Sequence, residues 1–209
     1  MATAFVDRDG VLTNFLGPAL DLHGRSIPEV YGTSVALGTW EVWKLFGATA
    51  EAFWRPIEAV GFDFWANLPW TTEGRHILQM AEQVFGEPNV RLLSSPSSDP
   101  MSAAGKVAWV RRELPQYAGR LILCPGGPKS DDPAVIRGKG AVAGPGKVLI
   151  DDSDHNLAEW ARGGGDAGIL VPRPWNSQHR DAGRVIGAVI ERIEKATGVR
   201  FINFSPEVR

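Results

Sequence analysis

Asp7 and Asp9 stand two residues apart behind an apolar run in "AFVDRDGVLTNF" (residues 4–15), and a second acidic pair, Asp151 and Asp152, closes "KVLIDD" (147–152). Carboxylates this close repel one another, and a cation offsets that cost. Three or four oxygen ligands delivered from strand ends, with water and phosphate oxygens completing an octahedron, are a usual way of holding Mg²⁺. His23, His76, His155 and His179 are scattered along the chain, so no cluster with zinc spacing competes. The same arrangement suits phosphoryl transfer. One carboxylate attacks phosphorus to give an aspartyl-phosphate, another protonates the departing alcohol and later activates water, and cations neutralise the phosphoryl oxygens.

Such chemistry needs elements that bring distant residues together. Five short apolar runs end in polar residues: "TAFVD" (3–7), "VRLLSS" (90–95), "RLILC" (120–124), "KVLIDD" (147–152) and "AGILV" (167–171). Each has the length and the unbroken apolar character of a strand buried on both faces. Helical signals lie between them. Asp99 and Pro100 read as an N-cap with proline in the first turn, Ser153 caps "DHNLAEWAR", and Val185, Ile186, Val189, Ile190 and Ile193 repeat at helical spacing. Alternating strands and helices predict an α/β fold, a Rossmann-like parallel sheet with helices on both faces. Ligands in such sheets sit beyond the carboxyl ends of the strands, where Asp7, Ser94 and Asp151 fall.

Residues 16–88 break the alternation. Trp40–Trp70 holds five of the eight tryptophans, with Phe46, Phe53, Phe62 and Phe64 among them, and reads as a small helical cap inserted after the first strand. The expected organisation is therefore a core of 1–15 and 89–209 with a cap of 16–88. Residues 125–146, rich in glycine and proline, read as a long surface loop of the kind that is often functional. "VPRPWNSQHR" (171–180) reads as a proline-stiffened connection to the last helix, with a rim loop over the site as the alternative. His155 reads as a helix-surface residue.

Composition narrows the function classes. A chain of 209 residues supports one substantial core or a core with a smaller appendage. With 44% hydrophobic and 22% charged residues it is globular rather than disordered, and a net charge of −2 gives no general attraction to nucleic acid or anionic lipid. Cys124 is the only cysteine, and no apolar run approaches 18 residues. The expectation is a cytoplasmic protein with no membrane partner.

The motifs also carry a resemblance. "FVDRDGVLTNF" resembles the first motif of the haloacid dehalogenase superfamily of phosphohydrolases and "VLIDDSDHN" its fourth, while "SSPSSDPMSAAGKVAWV" and "IRGKGAVAGPGKVLIDD" are similar to segments of the 5′(3′)-deoxyribonucleotidases. The resemblance implies that Asp7 is the nucleophile and a metal ligand. Asp9 would be the general acid/base and lend its backbone carbonyl to Mg²⁺, and Asp151 would be a ligand with Asp152 behind it. Ser94, Ser95 and Lys106 would bind the phosphate. Lys139 would be the third-motif lysine, with Arg137 a phosphate contact and Lys129 in "GGPKS" the rival, in a loop several residues longer than in the nucleotidases. Phe64 and Trp65 would stack a nucleobase.

The expected activity is Mg²⁺-dependent hydrolysis of a small-molecule phosphate monoester, first a (deoxy)ribonucleoside monophosphate. Sugar phosphates or phosphorylated nucleic-acid ends are the alternative substrates, and a non-catalytic binding module retaining the fold is the alternative class. Long nucleic acid is disfavoured by charge, and haloacid dehalogenation does not need Asp9. A homodimer is left open.

Overall fold

A computed structural model describes residues 2–126 and 135–201. The five apolar runs are strands β1 (Thr3–Val6), β2 (Val90–Ser94), β3 (Leu121–Leu123), β4 (Lys147–Asp151) and β5 (Ala167–Leu170). They form one sheet in the order β3-β2-β1-β4-β5, and every pairing is parallel. Side chains alternate between faces, as the two-residue period of a strand requires. Ala4, Val6, Leu92, Val148 and Ile150 join one apolar cluster, while Phe5, Leu93 and Leu149 join another with Trp160.

Helices cover both faces. On the larger cluster lie α5 (Gly74–Phe85), α6 (Pro100–Glu113) and α8 (Val185–Thr197), and α7 (Asp154–Arg162) covers the other face with Trp160. The expected caps form: the Asp99 side chain accepts from the Met101 N–H with Pro100 in the first turn, and Ser153 accepts from the Asn156 N–H. Among the described residues no helix is long and apolar enough to cross a membrane.

Between β1 and β2 the chain forms α1 (Leu16–Asp21), α2 (Ile27–Val30), a 3₁₀ turn at Val42–Phe46, α3 (Ala50–Val60) and α4 (Phe62–Ala66). Their apolar faces make a separate cluster around Leu20, Phe53, Ile57 and Trp65. The outgoing and returning chains lie side by side, with the Asn14 N–H donating to the Pro69 carbonyl and the Thr71 N–H to that of Leu12. Helix α5 also falls within residues 16–88, yet Ile77, Leu78, Met80, Ala81 and Phe85 pack on the sheet rather than with the inserted helices. An amphipathic helix following a tryptophan-rich stretch shows which side is apolar, but not which surface covers it.

Strand order places the site. From β1 the chain runs through β2 to β3 on one side, and β4 and β5 lie on the other, so β1 and β4 flank the topological switch point where α/β sheets bind ligands. Val6 pairs with Ile150, and the Asp7 N–H continues the ladder to the Ile150 carbonyl at 2.9 Å, which sets Asp7 beside Asp151.

Candidate active site

Asp7, Asp151 and Asp152 are buried and offer carboxylate oxygens all within 4.8 Å of one another. The 3₁₀ turn Gly138–Val142 delivers Lys139 into this group, with Nζ 2.6 Å from Asp7 Oδ1 and 2.6 Å from Asp151 Oδ2. Asp151 Oδ1 accepts from the Ser153 N–H at 2.9 Å and from Asn156 Nδ2 at 3.0 Å, and Asp152 Oδ2 accepts from Trp175 Nε1 at 2.7 Å. Gly10, the glycine of "DRDG", has φ +81°, and a Cβ built there would stand 2.1 Å from Asp152 Oδ2. A glycine at this position serves both the left-handed turn and the close approach of Asp152.

The carboxylate of Asp9 turns away from that group into one of its own. Its oxygens meet Arg8 Nη1 at 2.6 Å, Thr13 Oγ1 at 3.0 Å, Ser94 Oγ at 3.3 Å and the ammonium of Lys106. Lys106 also donates to Ser94 Oγ at 3.0 Å, and its Nζ lies 4.7 Å from the centroid of Trp65. Arg8 is fully buried; Nη2 donates to the Trp65 carbonyl at 2.6 Å, fastening α4 to the turn after β1.

The two groups differ in charge balance. Among the described residues, three carboxylates face the single ammonium of Lys139, so full ionisation would leave two negative charges uncompensated, whereas Asp9 sits between two cations. Burial pushes the Asp7 carboxyl up, Lys139 pulls it down, and Asp151 and Asp9 push it up again, to about 7. Burial, with Asp151 and Asp7, also raises Asp152 well above the usual carboxylate range. For Lys139, burial opposes the charge, but Asp151 and Asp7 overcome it and hold the ammonium protonated more firmly than usual. Burial likewise works against ionised Asp9, yet Lys106 and Arg8 prevail and keep it well below the usual range.

This crowding gives the metal-free protein a pH dependence of definite sign. Asp7 holds its proton to about 7 when folded but only to 3.8 when unfolded, so folding takes up a proton between those values. The contribution is fully present below about pH 4, is lost as the pH rises toward 7, and is constant above it. Asp152, raised in the same direction, adds to the loss. Asp9, held below its ordinary value, gains its stability near pH 4, so the sign is read above that: from pH 5 to 7, scanning calorimetry of EDTA-treated protein should show Tm falling more steeply in wild type than in Asp152→Asn, and an equal or steeper fall in the variant would refute this charge balance.

Above the carboxylates opens a cavity of about 290 Å³. Asp7, Asp9, Ser95, Lys139, Asp152 and Asn156 line its polar end, and Phe15, Tyr31, Trp40, Trp43, Phe53, Trp54, Trp65 and Trp175 its walls. Phe15 stacks on Trp65 at 5.4 Å and on Trp54 at 5.7 Å.

No family model and no curated protein matches the sequence. Among solved structures, a HAD family hydrolase from Deinococcus radiodurans R1, with bound phosphate and sodium, aligns over 94% of this chain and 96% of its own, at 14% identity and a TM-score of 0.52. The fold is the HAD fold. A HAD-superfamily hydrolase of subfamily IA from Geobacter sulfurreducens aligns at 12% identity over 80% of this chain and 85% of its own, with a TM-score of 0.47. L-2-haloacid dehalogenase from Xanthobacter autotrophicus aligns at 14% identity over 97% and 89%, with a TM-score of 0.43.

On this HAD fold the residues singled out in the sequence divide into three groups. Asp7, Asp9, Asp152, Ser95, Lys139 and Trp65 line the cavity, and Asp151, Ser94 and Lys106 lie in the hydrogen-bonded groups beneath it. Two residues stand elsewhere. Phe64 is turned away from the cavity, edge-on to Phe15 at 5.9 Å and to Trp65 at 5.2 Å, because neighbouring residues on a helix face different directions. Arg137 is exposed at the start of the turn that carries Lys139. Lys129 lies outside the described residues.

Residues 171–180 do more than connect: Trp175 reaches the cavity and Asp152, so the rim-loop alternative describes them better. His155 is exposed on α7, as expected. Sequence reasoning missed Arg8, Asn156 and Trp175. Arg8 alone carried a signal, as the one cation between two aspartates.

Proposed function

We propose that this chain is a Mg²⁺-dependent phosphomonoester hydrolase that works through an aspartyl-phosphate on Asp7 and acts on nucleoside monophosphates. The observation that carries the reading is the buried Asp7–Asp151–Asp152 cluster, undercompensated by Lys139, at the floor of an aromatic-walled cavity. The bound phosphate of the Deinococcus HAD hydrolase supports a phosphate ligand here. In this reading residues 16–88 serve as the cap of a core formed by 1–15 and 89–209, with α5 the part of that segment seated on the sheet.

The donor set suits a hard divalent cation. All the donors are carboxylate oxygens, and with all three ionised the charge left over by Lys139 would be that of one such ion. Asp7, Asp151 and Asp152 would hold it, with the Asp9 backbone carbonyl as a further oxygen. When bound, Mg²⁺ supplies charge neutralisation for the phosphoryl oxygens and lets Asp7 stay ionised at neutral pH.

An Asp7 carboxylate oxygen attacks phosphorus as the bond to the leaving oxygen breaks, and that oxygen takes its electron pair and a proton from Asp9. Asp9 is ionised between Arg8 and Lys106, so proton donation requires those pairs to loosen and the carboxylate to take up a proton first. A phosphate ester entering as its monoanion at Ser94, Ser95 and Lys106 competes for that ammonium and brings the proton that Asp9 passes to the leaving oxygen. Asp9 then takes a proton from water, whose oxygen attacks phosphorus; the bond to Asp7 breaks, and phosphate leaves. Lys139 steadies the charge on Asp7 throughout.

The aromatic walls favour a nucleobase over a bare sugar, since flat rings stack on indole and phenyl faces. Trp65 is already covered by Phe15 and by the Lys106 ammonium, so in this reading a base stacks on it only by displacing Phe15, with Phe64 supporting it from behind. Phosphate release should be measured with 5′ and 3′, ribo and deoxy nucleoside monophosphates, sugar phosphates and a 3′-phosphorylated oligonucleotide, each with Mg²⁺ and with EDTA. Nucleoside monophosphates should be turned over in Mg²⁺ and not in EDTA. Preference for a sugar phosphate would overturn the substrate class, and no release from any ester would overturn the enzyme.

A further inference from the structure

Asp152 has the least company of the three clustered carboxylates. Lys139 spans Asp7 and Asp151, and Asp151 accepts further bonds from Ser153 and Asn156. Among the described residues, the side-chain donor to the Asp152 carboxylate is the Trp175 indole N–H at 2.7 Å. Trp175 comes from the loop between β5 and α8, outside the motifs that carry the aspartates.

That loop is fastened on several sides. Arg173 Nε donates to the Gly10 carbonyl at 2.7 Å, and its Nη1 lies 3.0 Å from Glu73 Oε2 at the start of α5. Asn176 Nδ2 donates to the carbonyls of Val171 and Asp152, both at 2.8 Å, and the Gly38 N–H reaches across from the inserted segment to the Pro174 carbonyl at 2.8 Å. Trp175 itself is 8% exposed, and its ring lies 6.2 Å from Tyr31 in the cavity wall. A side chain held this firmly can transmit orientation to the group it touches.

The chemistry of the donor matters as much as its place. An Arg or Lys at this point would neutralise Asp152 and compete with a cation for it. An indole N–H is a donor with no charge and no acceptor, so it fixes the carboxylate plane and leaves the negative charge in place. Outer groups that orient metal ligands in this way typically change affinity about 10- to 100-fold when removed.

Because the Asp7–Asp151–Asp152 cluster is read above as a divalent-cation site, we infer that Trp175 is a positioning residue of that site. Its N–H holds the Asp152 carboxylate for the cation, while its ring closes the cavity that receives the organic part of the ester. One side chain thus belongs to both the cation site and the substrate chamber.

The test uses Mg²⁺ alone on the full chain. After EDTA treatment, isothermal titration of Trp175→Phe, which keeps a ring and deletes the donor, should show Mg²⁺ Kd raised about 10-fold or more. Trp70→Phe, which deletes an indole donor to Glu113 outside the cavity, should bind as wild type does. In ¹⁵N-labelled wild-type protein, the Trp175 indole resonance should shift on Mg²⁺ titration with the calorimetric Kd. Unchanged Mg²⁺ affinity in Trp175→Phe, or an indole signal indifferent to saturating Mg²⁺, would overturn the role of Trp175. If Trp175→Phe does not fold, the wild-type indole titration, assigned by triple-resonance spectroscopy, decides alone. Wild-type protein that takes up no Mg²⁺ overturns the cation site itself and the role of Trp175 with it.

Discussion

Asp7→Asn should lower phosphate release by at least about 10³-fold while leaving the protein folded. The amide has the shape of the carboxylate, and its oxygen can still accept from the Arg8 N–H, which donates to Asp7 Oδ1 at 2.7 Å. What it lacks is a nucleophilic oxygen and a negative charge. Lys139 keeps Asp151 at 2.6 Å as its partner, so no buried ammonium is stranded. The substitution also removes one carboxylate from an overcrowded set, so the metal-free variant should melt no lower than wild type at neutral pH. Lost activity with retained Tm separates chemistry from unfolding. Acid-quenched wild-type protein turning over substrate should show a phosphorylated species by intact mass, and Asp7→Asn should not. A variant retaining a sizeable share of the activity would remove Asp7 from the nucleophile's role.

Lys139→Met should do the opposite to stability. Among the described residues its ammonium is the buried cation shared by Asp7 and Asp151, and its side chain is 1% exposed. Removing one partner from a buried ion pair costs about 3–5 kcal/mol, and here two carboxylates lose a partner at once. Urea unfolding in EDTA at neutral pH should report a loss of that order. Mg²⁺ should return part of it, because a ligand bound only to the folded state stabilises that state by mass action. The loss should shrink toward pH 4, where protonation relieves the carboxylates. A Lys139→Met protein as stable as wild type in EDTA would mean that the cluster does not depend on this charge.

The parts of the molecule legible in its sequence are those set by local pattern. Apolar runs such as "KVLIDD" mark β4 to within a residue, because a strand buried on both faces needs an unbroken apolar stretch, and acids at the ends of two such runs come together once the sheet is parallel. The resemblance of "IRGK" singles out Lys139, which lies against Asp7 and Asp151. Trp175 was not legible, since nothing in "VPRPWNSQHR" distinguishes an indole that bonds a carboxylate from one that fills a core. The place of α5 was hidden for a related reason: its apolar face is plain, but whether sheet or cap covers it depends on contacts far apart in the chain. Phe64 and Trp65 show the limit at its sharpest, as adjacent aromatic residues of which only Trp65 faces the cavity.

The near-contact between the Gly10 backbone and the Asp152 carboxylate ties two distant stretches of chain into one inheritance. Any side chain at position 10 would evict the acid opposite, and the acid's place exists because position 10 has no side chain. On the proposed function, descendants that kept the chemistry would be bound to keep both residues. A lineage that abandoned it would be released from both together, so the loss of either one would be a mark of a changed trade.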